Sequence, residues 1–202
     1  LTVGDMSAGN DISLIAASIT DSGTTDTDLS AGEVRINVTG TGGAGTSANH
    51  LETATGTLSA VVQDGGLYIT ETDALNVADL NAISVSRIGT DGAVSSTITD
   101  AVQTNIVSGG DVVLNTTSGS IRLYDILVST NINAAGEVLV KAGGSGSDIT
   151  IDGSITSSGG NISLDANDQV IFNDTNADIS TTTTAKTIDI KAGGDITRTA
   201  GA

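Results

Sequence analysis

SGGNISLDANDQVIF, residues 158–172, decides the reading of this chain. A glycine-led turn opens it. Ile162 and Leu164 then alternate with Ser163 and Asp165. A short polar stretch follows, and a second strand-like run begins near Val170. Successive side chains of a strand point to opposite faces, so this alternation places Ile162 and Leu164 on one apolar side. The phrase returns along the chain as GNDISL (9–14), GEVRINV (32–38), GGLYIT (65–70) and GGDVVLN (109–115). It recurs again as GSIRLYD (119–125), GEVLVKA (136–142), SDITIDG (147–153) and KTIDIKAGGDI (186–196). A strand that repeats in this way implies stacked coils, each resting on its neighbours.

The spacing supports coils of two or three short strands. From Ile12 the first core positions follow at gaps of 22, 33 and 45 residues, near multiples of eleven. Weaker strands fill the long gaps: ALNVAD (74–79), AISVSR (82–87), STITD (96–100), ILVST (126–130), QVIFND (169–174) and ADIST (177–181). At about 20–25 residues per coil the chain makes about nine coils. The turns favour a parallel arrangement. Asn-Gly, the strongest two-residue hairpin signal, is absent, and Asp-Gly occurs at 64–65, 91–92 and 152–153. The expected fold is therefore all-β, a right-handed parallel β-helix or β-solenoid, with an antiparallel sandwich or meander as the alternative. Ile12, Leu14, Val34, Ile36, Val112, Leu114, Ile121, Leu123, Val138, Val140, Ile149, Ile151, Ile162, Leu164, Ile188 and Ile190 are expected to point inward.

Composition agrees with a thin core. The chain of 202 residues has no proline, cysteine or tryptophan, and 26 glycines. Its aromatic residues are Tyr68, Tyr124 and Phe172. A thick globular core rests on large aromatics. Ile, Val, Leu and Ala suit a core a few side chains wide. The stretch 47–62, SANHLETATGTLSAVV, has some apolar residues at helical spacing. Gly56 and its threonines favour strand–turn–strand instead. Residues 1–202 read as a single solenoid segment of a longer repetitive chain, with loops 20–32 and 39–49 as excursions. RTAGA (198–202) joined to LTVGD (1–5) imitates ETDALNVAD (71–79), as in a tandem array or an end-to-end stack.

Seven basic residues against 24 acidic ones leave a net charge of −17. Scattered Arg and Lys form no basic stripe, so neither nucleic acid nor anionic lipid is expected as a partner. No apolar run reaches the roughly 20 residues that span a bilayer, so no membrane insertion is expected.

TSANHLETATGTLSA with GGLYITETDALNVADL, then GGDVVLNTTSGSI, SGGNISLDANDQVIF and AKTIDIKAGGDITRTAGA, resembles the β-strand repeats of giant bacterial surface proteins. These are the filamentous-haemagglutinin-like, two-partner-secreted adhesins and their long relatives. The similarity covers most of residues 43–202. It implies a parallel β-helix, an extracellular or cell-surface location, and a role as secreted adhesin, stalk or structural filament. The expected partners are neighbouring copies of the same repeat, by end-to-end self-association, and a surface glycan or cell receptor.

No catalytic residue is assigned. Polysaccharide cleavage, the alternative function, would use carboxylate pairs such as Asp26/Asp28, Glu71/Asp73 or Asp165/Asp168. These lack an aromatic platform for sugar, and solvated turn acids are the simpler reading. His50 is the sole histidine and has no zinc or triad partner in the sequence. TTTT (181–184) suggests an ice-binding face only if it repeats on successive coils. GGSGSDITI (143–151) approaches a calcium nonapeptide repeat but has Thr150 at its apolar position. Calcium is the candidate ion. The turn aspartates that would hold it are Asp21, Asp26 and Asp28, then Asp148 and Asp152, then Asp174 and Asp178.

Overall fold

The computed structural model describes residues 1–23, 25–124 and 130–199. The expected strand at 126–130 lies outside the described residues except for Thr130. Among the described residues every regular element is a strand. The first turn comprises β1 (Thr2–Val3), β2 (Met6–Ser7) and β3 (Asp11–Ala16). β4 (Thr20–Asp21) and β5 (Leu29–Val38) form the next, and β6 (Leu51–Val62) dominates the third. β7 (Leu67–Glu71) and β8 (Leu75–Val77) precede an antiparallel pair, β9 (Ile83–Ile88) and β10 (Val94–Asp100).

The remaining chain is regular. β11 (Ile106–Ser108) closes the turn begun by β7 and β8. β12 (Val112–Thr116), β13 (Ile121–Leu123) and β14 (Thr130–Ala134) follow. Next come β15 (Val138–Ala142), β16 (Ile149–Ile151) and β17 (Ser154–Ser157), then β18 (Ile162–Ala166), β19 (Val170–Phe172) and β20 (Ile179–Thr181). β21 (Ile188–Ala192) and β22 (Ile196–Arg198) end the series.

Three parallel ladders run along this part of the stack. The first is β7–β12–β15–β18–β21. The second is β8–β13–β16–β19–β22. The third is β6–β11–β14–β17–β20. The chain is thus a parallel β-solenoid, with about eight turns. The estimate of about nine was high because residues 83–100 leave the stack as a hairpin. AISVSR and STITD carry strand alternation, but they pair with each other, not with neighbouring coils.

Register explains the core. Val112, Val138, Ile162 and Ile188 stack on one another, as do Leu114, Val140, Leu164 and Ile190. Ile121, Ile149, Val170 and Ile196 make a third column. Ile106, Ile132, Ile155 and Ile179 make a fourth. Each fully buried aliphatic side chain contributes about 1.5–3 kcal/mol from leaving water. All the residues expected to point inward are buried except Ile188 and Ile190, which lie on the last turn.

The stretch 51–62 is one continuous strand and not strand–turn–strand. Gly56 does not break it because pairing resumes directly beyond. Thr53–Thr55 pair with Leu29–Ala31, and Thr57–Val62 with Glu33–Val38. Of the two expected excursions, 20–32 carries β4 at its start and the opening of β5 at its end. Within 39–49, Ala44 bridges Ile19 and Leu67 in parallel, so the coil continues through it.

Candidate functional site

The structure brings two of the nominated aspartates together. Asp21 ends β4 and Asp28 immediately precedes β5. The next turn adds Glu52, from the start of β6. One carboxylate oxygen from each of Asp21, Asp28 and Glu52 falls within a 4.8 Å group. Stacking creates the cluster. The Asp28 amide donates to the Glu52 carbonyl at 2.8 Å, and the Glu52 amide donates to Asp28 Oδ2 at 3.0 Å.

The cluster is sunk into the surface. Asp28 is 0% exposed and Asp21 8% exposed. Both oxygens of Asp21, Oδ1 of Asp28 and Oε2 of Glu52 are buried without a hydrogen-bond partner among the described residues. The ion pairs found there, Arg122–Asp152, Lys186–Glu137 and Lys191–Asp165, involve none of the three.

Electrostatics follow from this geometry. Burial, with the charges of Asp21 and Glu52 beside it, pushes the Asp28 carboxyl up to about 7, against the Glu52 amide bond that favours its ionised form. Burial and the Asp21 charge likewise raise Glu52. Burial opposes ionisation of Asp21, but the nearby Gly23 backbone, Asp28 and Asn49 outweigh it and hold that carboxyl low. The arrangement is one ionised acid facing two that resist ionisation.

The other nominated aspartates are placed differently. Asp26 is exposed and outside the cluster. Asp148 Oδ1 accepts the Gln169 amide at 2.9 Å. Asp152 is buried and takes Arg122 Nε at 2.8 Å and Asn173 Nδ2 at 2.6 Å. Asp174 Oδ1 accepts the Asn176 amide at 2.9 Å in a local turn. Asp178 is exposed. Each of Asp148, Asp152 and Asp174 thus has a protein donor at hydrogen-bond distance.

One acid in each of two pairs weighed for sugar chemistry is also engaged. Glu71 is fully buried and bonded to its own turn and the one before. Asp165 Oδ1 accepts Lys191 Nζ at 2.9 Å. His50 is half-buried, with Nδ1 2.8 Å from Thr70 Oγ1 and its ring beside Tyr68.

Sequence reading missed Glu52. Its only local signal is an acid opening a strand. Its partner Asp28 belongs to the preceding turn, so the stacking register had to be known first.

These features define the class: a β-solenoid repeat protein with a buried acidic cluster at one corner. Comparison with protein-family models, with curated proteins and with solved structures finds no match to this chain.

Proposed function

We propose that this chain is a non-catalytic structural segment of an extracellular bacterial adhesin, stalk or fibre, whose coils stack end to end. The observation that carries this reading is the repeat itself: three parallel ladders run in constant register through successive turns, a geometry that a further coil or a second copy continues. On the last described turn Ile188 and Ile196 continue the columns of Ile162 and Val170 in the same register. The outward edges of β20, β21 and β22 offer backbone groups to a further parallel coil. Open strand edges of this kind pair with other chains. At the opposite end β1, β2 and β3 pair, among the described residues, on one side only, with β4 and β5. A second copy, or a further coil of the same repeat, fits both edges.

The engagement of Glu71 and Asp165 favours this role over polysaccharide cleavage. The repeat resemblance to surface adhesins supplies the bacterial cell-surface setting. Sedimentation and negative-stain imaging across a concentration series test the reading. The 202-residue chain should form linear stacks, and Ile188→Asp with Ile196→Asp should keep it folded and dispersed. A chain that stays monomeric throughout refutes end-to-end stacking, and turnover of an acidic glycan refutes the non-catalytic role.

A further inference from the structure

Asp21, Asp28 and Glu52 bring three carboxylates to one buried corner without a counter-charge. Burying even one unpaired carboxylate is costly, and like charges close together add repulsion. Hydrogen bonds do not relieve it, because four of the six carboxylate oxygens have no partner among the described residues. Asp28 has no exposed surface, and Asp21 almost none, so water does not screen them. An acidic cluster alone says little. Here two nearly fully buried side chains also direct unpartnered oxygens at the same point.

The donor set identifies what fits. Every donor in the cluster is a hard oxygen; the chain has no cysteine, and the His50 ring is engaged by Thr70 through Nδ1. Such a set selects Ca²⁺ or Mg²⁺ over zinc or copper. Mg²⁺ keeps most of its water and demands a strict octahedron. Three carboxylates converging at one buried corner, each offering at least one oxygen, suit the larger and more permissive Ca²⁺. The side chain of Asn49 lies beside Asp21 and favours its ionised form.

We propose that Asp21, Asp28 and Glu52 form a calcium site that pins two successive turns of the solenoid together. Asp21 and Asp28 bracket one loop, and Glu52 comes from the following turn. The ion therefore closes the loop and ties it to the next coil. It does not depend on stacking between chains.

Calorimetric titration of the chelator-treated protein with CaCl₂ tests this directly. One Ca²⁺ should bind per chain. The melting temperature should rise with CaCl₂ and not with NaCl of equal ionic strength. Asp28→Asn and Asp21→Asn should each lose binding and the calcium-dependent rise. Asp174→Asn should keep both. In chelator, Asp28→Asn should melt at or above the unsubstituted chain, because it replaces a buried acid crowded by two others with a neutral amide; this distinguishes lost binding from lost folding. Absence of heat on titration, with the same melt in chelator and in calcium, overturns the site. Binding that survives Asp28→Asn and Asp21→Asn overturns the assignment of ligands. Either result leaves end-to-end stacking to be judged by imaging alone.

Discussion

The Glu71 carboxylate accepts the Thr53 hydroxyl at 2.7 Å, across the boundary between two turns. The same oxygen takes the Thr55 amide at 3.0 Å. The other oxygen takes the Thr72 amide at 2.9 Å and the Asp73 amide at 3.3 Å. A single buried acid thus satisfies backbone donors where the chain turns a corner. Such donors are expensive to leave unmade inside a protein.

Replacing Glu71 with Ala should cost about 3 kcal/mol or more, since several buried donors lose their acceptor at about 1–3 kcal/mol each. Glu71→Gln should lose less, because one oxygen remains, but its NH₂ would face amide donors. Urea denaturation of both variants measures the loss. A change within 0.5 kcal/mol, about the scatter of surface substitutions, would show that water replaces the carboxylate there.

Glu71 also makes a prediction about pH. Burial raises its carboxyl above the ordinary 4.5, outweighing the bonds from Thr53, Thr55, Asp73 and Thr72 that favour the ionised form. The folded chain therefore holds this proton more tightly than the unfolded chain. Its contribution to stability is fully present below 4.5 and is lost as pH rises through the raised folded value. The stability difference between the unsubstituted chain and Glu71→Gln should shrink as pH climbs from 4.5, then level off. Denaturation midpoints over a pH series read it. A difference that grows with pH contradicts the sign.

Leu164 tests the core columns. It is fully buried between Val140 and Ile190 in register. Leu164→Ala should cost about 2–5 kcal/mol, from lost burial and the cavity left behind. Ser163→Ala, on the opposite face of the same strand, should stay within about 0.5 kcal/mol. Equal effects from the two would mean that the inward–outward alternation is misassigned.

Gly160 tests how closely the turns stack. A Cβ there would run into the Gly136 carbonyl and the Glu137 amide of the turn before. Backbone cannot yield as the end of a flexible side chain can. Gly160→Ala should therefore destabilise by about 1–3 kcal/mol, the usual scale of overpacking. Gly9, where an added Cβ meets nothing within 4 Å, is the control. Thermal melts of Gly160→Ala and Gly9→Ala should separate clearly.

The columns were legible in the sequence because alternation alone decides which side of a strand is apolar. Val138, Ile162 and Leu164 needed no partner to be read as core. The acidic corner was half legible. Asp21 and Asp28 stand out as turn acids, but Asp26 between them looks the same and ends up exposed. Glu52 joins only through the stacking register, which is a long-range fact. The continuous strand at 51–62 was obscured by Gly56, whose missing side chain signals a break in isolation and a tolerated bend beside a paired neighbour.

The hairpin was the least legible element, and it gives the last prediction. AISVSR and STITD have the same alternation as coil strands, so the pattern cannot say whether their partner is a neighbouring coil or each other. Asp91-Gly92 was the one local clue. Gly92 adopts a φ of 80°, and Asp91 Oδ1 accepts the Ala93 amide at 3.0 Å. Beyond the buried Ile83, β9 is exposed, and Ile88 and Val94 face solvent. The base is tied down separately. Asp100 Oδ2 accepts the Ser13 hydroxyl at 2.7 Å, and Gln103 Nε2 donates to the Ile36 carbonyl at 2.9 Å. Leu80 pairs with Gln103 across the neck. Most of the hairpin therefore adds little to the buried columns, and its removal above the neck should leave them intact. A chain lacking residues 84–99, rejoined by a short glycine–serine turn, should keep a β-rich circular dichroism spectrum and lose no more than about 1–2 kcal/mol, because closing a shorter loop offsets part of the lost pairing. Non-cooperative unfolding of that deletion would show that the hairpin is a structural part of the coil beneath it.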